Sequence, residues 1–122
     1  MDLTIKRIDD LEFYDGPHKV EGIHFRYAGK ALGVTAWGMN VIELAPNTTG
    51  YPEHDHAKDG QEEVYVVLRG AVRLRAGDHQ ERLTAGHMLR VGPEQKRHFA
   101  TDGEGAWLLA IGATPGVAYK PR

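Results

Sequence analysis

Two histidines and two adjacent glutamates lie close together near the middle of the chain, in the segment EHDHAKDGQEEVYVVLRG. In an extended strand, side chains two positions apart point to the same side, so His54 and His56 project together. Neutral imidazoles are good ligands for divalent transition metals. A His-x-His pair is weak evidence by itself, because surface loops often carry such pairs. The pair predicts a metal site only if further ligands join it.

A carboxylate is the next candidate ligand. Residues 57–60 have the composition of a chain reversal, so the strand that follows can return beside the histidines. Glu62 and Glu63 face opposite sides of that strand, and only one of them can reach the same ion. Both faces of the strand are mostly apolar, so the pattern does not decide between them. The alternative is that both glutamates are solvated at the start of a strand.

A third histidine, His98, follows a turn at Pro93 in the segment RVGPEQKRHFATDG. With it, the arrangement resembles the cupin superfamily, whose first motif is Gly-x5-His-x-His-x3–4-Glu-x6-Gly. The second motif is Gly-x5-Pro-x-Gly-x2-His-x3-Asn. The matching residues of this chain are Gly50, His54, His56, Glu63 and Gly70 for the first motif, and Gly86, Pro93 and His98 for the second.

The family spacing of six residues before the last glycine of the first motif selects Glu63 over Glu62. The chain also departs from the pattern. The loop before His54 is shorter, the loop after His56 is longer, and the segment from Gly86 to Pro93 has one extra residue. Gln95 replaces a motif glycine, and Asp102 stands where asparagine is usual. These departures affect loops and turns rather than the expected ligands.

The resemblance covers roughly residues 38–113 and implies a conical β-barrel (a jelly roll, or double-stranded β-helix) of two antiparallel sheets. It implies that one divalent ion, Fe, Mn, Ni, Co or Zn, is held by His54, His56, Glu63 and His98. Four protein ligands would leave two positions of an octahedral ion open. With one carboxylate, the site would carry a net positive charge and favour an anionic or chelating small molecule.

The elements that must position these residues are predicted to be short strands. Glycine and proline clusters punctuate the chain, and no long stretch keeps the 3.6-residue apolar period of a helix. This pattern is typical of an all-β sandwich or barrel. Residues 5–13 fit either a helical turn or an edge strand. The predicted strands are 24–27, 35–44, 63–68, 72–75, 97–101 and 106–111. We expect one domain over 1–122, with an N-terminal arm at 1–35 and a barrel at 38–113.

Composition excludes several classes of function. A net charge of −2 and scattered basic residues give no indication of nucleic-acid binding. The chain has no cysteine, which excludes disulfides and thiolate ligands. No apolar run approaches the length of a membrane span, and residues 1–16 do not have the pattern of a signal peptide. We therefore expect a cytoplasmic protein with no membrane partner.

The resemblance implies a metal-dependent enzyme, of dioxygenase, decarboxylase, isomerase or cyclase, or lyase type. The alternatives are a non-catalytic protein that binds or senses a small molecule through the metal, and a barrel whose metal is adventitious. Tyr65 shares the face of Glu63 and is a weak candidate for a proton donor, with a core aromatic as the other interpretation. Arg90 and Arg97 are interpreted as solvated, with a clamp for a substrate carboxylate as the alternative.

Apolar side chains in the N-terminal arm need burial somewhere. Small members of the family commonly pair through N-terminal strands or sheet faces, so the resemblance implies a homodimer. Packing of the arm on its own barrel is the alternative. The residues concerned are Leu3, Ile5, Ile8, Leu11, Phe13 and Tyr14.

Overall fold

Seven strands joined by turns form most of the regular structure in a computed structural model, which describes residues 1–121. The strands are β1 (Ile23–Arg26), β2 (Gly38–Leu44), β3 (Glu62–Ala76), β4 (His79–Thr84), β5 (Met88–Val91), β6 (His98–Ala100) and β7 (Ala106–Ala113). A 3₁₀ turn covers Ile8–Asp10, and one short helix, α1, covers Ala28–Leu32. The strand pairings are antiparallel. The predicted all-β fold is confirmed.

Strand β3 takes part in two sheets. Its first half pairs with β7 and β5, and β7 continues the sheet to β2 and β1. Its second half pairs with β4 and β6. The register shifts between Val67 and Arg69, and Gly70 follows with a φ of 72°. A Cβ at Gly70 would lie 1.8 Å from the carbonyl oxygen of Gly105, so only glycine fits at this bend. Residues 63–68 and 72–75, predicted as two strands, are therefore one bent strand.

The core lies between the two sheets. On β7 buried and half-buried residues alternate, as expected for a strand with one face on the core. Phe99 and Leu108 are fully buried at its centre. A smaller cluster joins Leu11, Ala28 and Val41, so part of the N-terminal segment packs on its own barrel.

Some elements differ from the predictions. Strands β4 and β5 were not predicted, because their sequences HQERLT and MLRV are mostly exposed and carry charges. Helix α1 was not predicted either, since five residues are too few to show a period. For residues 5–13, the helical-turn alternative is closer to the observed 3₁₀ turn. Among residues 1–121, the structure contains no helix with the length and apolar character needed to cross a membrane.

Candidate metal centre

His54, His56 and Glu63 converge at the mouth of the barrel. Each offers one ligand atom, and these three atoms all lie within 4.8 Å of one another. Oε1 of Glu63 is 3.2 Å from Nε2 of His56 and 3.8 Å from Nε2 of His54. The two histidines lie on the segment before β3, and Glu63 is the second residue of β3. The structure brings together three of the four residues that the sequence suggested.

The second ring nitrogen of each histidine is held from outside the site. Nδ1 of His54 is 3.0 Å from the carbonyl oxygen of Pro52, and Nδ1 of His56 is 3.1 Å from the carboxylate of Asp59. A proton on each Nδ1 satisfies these acceptors and leaves the Nε2 lone pair directed at the group. Such outer partners orient the histidine ligands of metal sites. Asp59 lies in a turn over residues 57–59, within the segment 57–60 where the reversal was predicted.

Glu63 is the acid of the group, and Glu62 is not. Glu62 pairs with Arg90 on the exposed side of β3. The hydroxyl of Tyr65 donates a hydrogen bond of 2.7 Å to Oε1 of Glu63. Burial alone would raise the pKa of Glu63, but interactions with His54, Tyr65, His56 and Arg97 outweigh it and lower the pKa. The carboxylate is therefore charged and ready to bind a cation.

The negative charge of Glu63 shifts the pKa values of His54 and Tyr65. The carboxylate of Glu63 raises the pKa of His54 in spite of partial burial of the ring. Burial, followed by the proximity of Tyr51 and then the charge of Glu63, raises the pKa of Tyr65 far above that of a free phenol. Tyr65 therefore keeps its proton and acts as a hydrogen-bond donor. Both interpretations of Tyr65 apply, since its ring is buried in the core and its hydroxyl reaches the site.

Arg97 lies directly behind the group and has no exposed surface. Its Nη2 is 3.9 Å from Oε1 of Glu63, and its guanidinium donates to the carbonyl oxygens of His54 and Gly92. Within residues 1–121, its Nε has no hydrogen-bond partner. The interpretation of Arg97 as a solvated side chain was wrong, whereas Arg90 is exposed as expected.

His98 does not join the group. Its Nε2 is 3.1 Å from the carbonyl oxygen of Thr49, and its ring lines a groove beside Arg73 and Arg75. His98 and Arg97 are adjacent in an extended segment and therefore point to opposite faces. The structure thus differs from the four-ligand expectation, because the inward position holds an arginine.

Packing explains which residue points inward. Phe99 is fully buried, so alternation directs residues 97 and 101 to the same side as Phe99. A count of eleven positions from Gly86, as in the second family motif, also arrives at Arg97 rather than His98. The extra residue before Pro93 caused the one-residue displacement in the prediction. Such a displacement exchanges the two faces of a strand. Of these two signals only the count from Gly86 can be read from the sequence, because the burial of Phe99 is a property of the fold.

The same displacement applies at the end of the motif. Thr101 takes the inward position, where its hydroxyl accepts a hydrogen bond from the Thr48 amide and donates one to the carbonyl oxygen of Ala45. Asp102 is exposed and pairs with Arg73.

A cavity of about 760 Å³, the main cavity, opens in front of the three ligand atoms. This volume suits a small organic molecule. The side chains of His54, His56, Glu63 and Tyr65 line one part of it. Trp37 and Met39 also line it, and Trp37 is 43% exposed.

The donor set fits a divalent metal ion. Two imidazole nitrogens and one carboxylate oxygen match the 2-His-1-carboxylate arrangement, which leaves the other coordination positions open. The fixed Nδ1 atoms and the charged Glu63 support this fit. Besides a bound metal ion, the guanidinium of Arg97 adds a positive charge close to the carboxylate of Glu63. The site therefore combines cation ligands with a field that attracts an anion.

Comparisons with known proteins agree with the fold. A sugar phosphate isomerase of the cupin superfamily from Silicibacter pomeroyi has a TM-score of 0.75 at 20% identity, over 92% of this chain and 77% of that chain. The polyketide cyclase RemF from Streptomyces resistomycificus has a TM-score of 0.72 at 18% identity, over 95% and 85%. A domain of an XRE family transcriptional regulator from Enterobacter cloacae has a TM-score of 0.66 at 14% identity, over 78% and 99%.

At these identities the solved structures show the fold alone. No curated protein matches the chain. The family model described as "Cupin domain" matches residues 40–111, which is more than half of the chain. The chain belongs to the cupin domain family.

Proposed function

We propose that this protein is a metal-dependent enzyme that acts on a small anionic or chelating organic molecule. One observation carries the proposal, namely that three ligand atoms lie within 4.8 Å of one another and line the main cavity. The orientation of both imidazoles by outer partners supports it. His54, His56 and Glu63 would hold the ion, and His98, which the sequence suggested as a fourth ligand, would not.

Charge defines the class of ligand. A divalent ion, one carboxylate and one guanidinium leave two net positive charges in a half-buried site. Such a site favours a carboxylate, an enolate or a pair of neighbouring oxygen atoms. A metal ion bound there supplies Lewis-acid polarisation of ligand oxygens. That chemistry is common to decarboxylation, isomerisation, cyclisation and lyase reactions, whereas dioxygenation would also require a redox-active ion such as Fe.

The residues of this chain act around the ligand. Tyr65 stays protonated, and its hydroxyl lies at the cavity wall beside Glu63. After His54, Tyr65 and His56, Arg97 contributes to keeping the carboxylate charged, and it holds the backbone of His54 through its carbonyl oxygen. The isomerase and the cyclase with similar folds are named for reactions on oxygen-rich substrates, which is compatible with this proposal.

The test is turnover by protein loaded separately with Fe, Mn, Co, Ni or Zn, on a panel of catechols, flavonols, 2-oxo acids and sulfur acids. We expect product formation with one or more of these metals and its loss in Glu63→Gln. The matched control is Glu62→Gln, which changes the neighbouring residue on the exposed face and should keep the activity. Tight ligand binding that depends on metal but gives no turnover with any metal would favour the alternative, a non-catalytic binding or sensing protein.

A further inference from the structure

A second cavity of about 310 Å³, the side cavity, lies beside the main cavity. The exposed surface of its lining is mostly apolar, and the residues that line this cavity alone include Val20, Ile23 and Pro52. Five side chains line both cavities: Phe25, Tyr27, Ile42, Tyr51 and His54. The two cavities are therefore adjacent, and their shared lining contains one of the three proposed metal ligands.

The N-terminal segment builds the side cavity. Ile23 and Phe25 alternate along β1 with the outward residues His24 and Arg26, and their side chains pack against the core. Antiparallel pairing of Ile23 with Leu44 fixes the position of β1 on the barrel. Ile23 and Phe25 lie outside positions 40–111, which the family model matches, whereas Leu44 lies inside them. The side cavity is thus lined in part by residues that the family model does not match.

The loop before β1 is held in place by close packing. A Cβ at Gly50 would lie 2.8 Å from Cγ1 of Val20, so Val20 sits directly on the backbone at Gly50. Gly22 has a φ of 82°, and a Cβ there would lie 2.7 Å from Oγ1 of Thr48. The wall formed by Val20 is therefore fixed against the barrel and gives the side cavity a defined shape.

The polar residues of the side-cavity lining include His18 and Lys19. His18 and Lys19 are exposed, and Lys19 pairs with Asp15 at 2.9 Å. The interior offers side chains such as Ile23, Phe25 and Ile42. A dry apolar cavity of about 150 Å³ is enough to bind benzene, so this cavity can hold a ring or a short alkyl chain.

We propose that the side cavity binds an apolar arm of the ligand whose oxygen atoms face His54, His56 and Glu63. This inference rests on the proposed function, because the metal site fixes the other end of the ligand. It specifies the substrate class as a chelating acid with an aryl or alkyl substituent, rather than a small acid without one. The shared lining residues His54 and Tyr51 carry the inference, because the part of a ligand that lies beside His54 is next to both cavities.

The experiment compares the binding of pyruvate and phenylpyruvate to Mn-loaded protein by calorimetry. These two acids share the chelating 2-oxo carboxylate and differ in the phenyl group. We expect phenylpyruvate to bind at least about tenfold more tightly, because the phenyl ring leaves water for an apolar cavity. Val20→Trp, which fills the side cavity, should abolish this preference and leave pyruvate binding unchanged. Ile23→Phe narrows the same cavity from β1 and serves as a second variant if Val20→Trp does not fold.

The matched control is Val34→Phe, because Val34 lines the main cavity but not the side cavity. This variant should retain the preference for phenylpyruvate. Equal affinities of the two acids in the wild type, or a preference that survives in both filling variants, would overturn the inference while the proposed function stands. If neither acid requires the metal for binding, the proposed function fails, and the inference fails with it.

Discussion

Arg97 determines how many ligands and how much charge the site offers. Its side chain takes the inward position beside Glu63, so among residues 1–121 no third imidazole lies with His54 and His56. Three protein ligands would leave three positions of an octahedral ion for water and substrate, one more than a four-ligand site. The buried guanidinium also stabilises the charged carboxylate. A ligand with two or three oxygen donors therefore suits this site better than a monodentate one.

Replacement of Arg97 by histidine tests this account of the inward position. Arg97→His places an imidazole where a fourth ligand is possible, and we expect metal affinity to rise at least about tenfold over the control Arg97→Gln. Both variants lose the buried charge next to Glu63, and each is expected to lose about 3–5 kcal/mol of stability in the metal-free state. Calorimetric titration with Zn measures the affinities. Equal affinity of the two variants would contradict an inward position at residue 97.

Tyr51 gives a prediction for alkaline pH. Burial raises the pKa of Tyr51 to about 12, whereas an unfolded tyrosine titrates near 10. Between these values the unfolded chain loses a proton that the folded protein retains. The stability that the folded protein gains from the protonated Tyr51 is complete below pH 10. It is lost as pH rises towards 12, by about 1.4 kcal/mol per pH unit. Urea unfolding at pH 9, 10 and 11 should show a shallower decline for Tyr51→Phe. Parallel declines in both proteins would contradict the role of this burial.

The sequence indicated the three ligands of the candidate metal site but did not indicate Arg97, which lies next to them. His54, His56 and Glu63 follow from the His-x-His spacing, a turn and the family motif. Arg97 was predicted to be solvated because arginine is rarely buried. The side to which residue 97 points is set by the packing of Phe99 in the core, which is a tertiary interaction. A one-residue difference in the loop before β6 cannot be assigned to a position by spacing alone.

At the scale of elements, the bend in β3 connects the site to the core. Glu63 and Tyr65 lie before the bend, and the second half of β3 pairs with β6, the strand that follows Arg97. Gly70 permits the bend because its φ is 72° and its neighbour is the Gly105 carbonyl group. The bend thus places the acid and the arginine on the same side of the core.

Gly70→Ala tests the bend. An alanine there must adopt a left-handed backbone and displace Gly105, so we expect a loss of at least about 2 kcal/mol in the free energy of unfolding. Gly103→Ala is the control, since a Cβ at Gly103 has no neighbour within 4 Å among residues 1–121. Chemical denaturation measures both variants. A loss at Gly70 no larger than that at Gly103 would show that the contact does not constrain the strand.

Strands with many buried residues were predicted from the sequence, and strands with few buried residues were not. Strand β7 lies within the core and carries a continuous apolar run, and the predicted strand 106–111 matches it closely. Strands β4 and β5 have one or two inward residues each, Leu83 among them, so their sequences resemble exposed loops. Their pairing with β3 is a long-range interaction that local patterns do not contain.

At the scale of the whole molecule, the first residues lie away from the barrel. Leu3 and Ile5 are 70% and 87% exposed, whereas Leu11 is buried in the smaller cluster. We therefore propose that the N-terminal residues pack against a second copy of the chain in a homodimer. Sedimentation equilibrium should give a dimer for the wild type and a monomer for the double variant Leu3→Glu, Ile5→Glu. A monomeric wild type would rule out this assembly.

Metal content tests the central claim most directly, namely that His54, His56 and Glu63 hold one ion and that His98 does not. Wild type, His54→Ala and His98→Ala are loaded with the same metal, dialysed together and measured by elemental analysis. We predict about one ion per chain in the wild type and in His98→Ala, and loss of most of the metal in His54→Ala. Equal metal in all three proteins, or a loss in His98→Ala as large as that in His54→Ala, would contradict the claim.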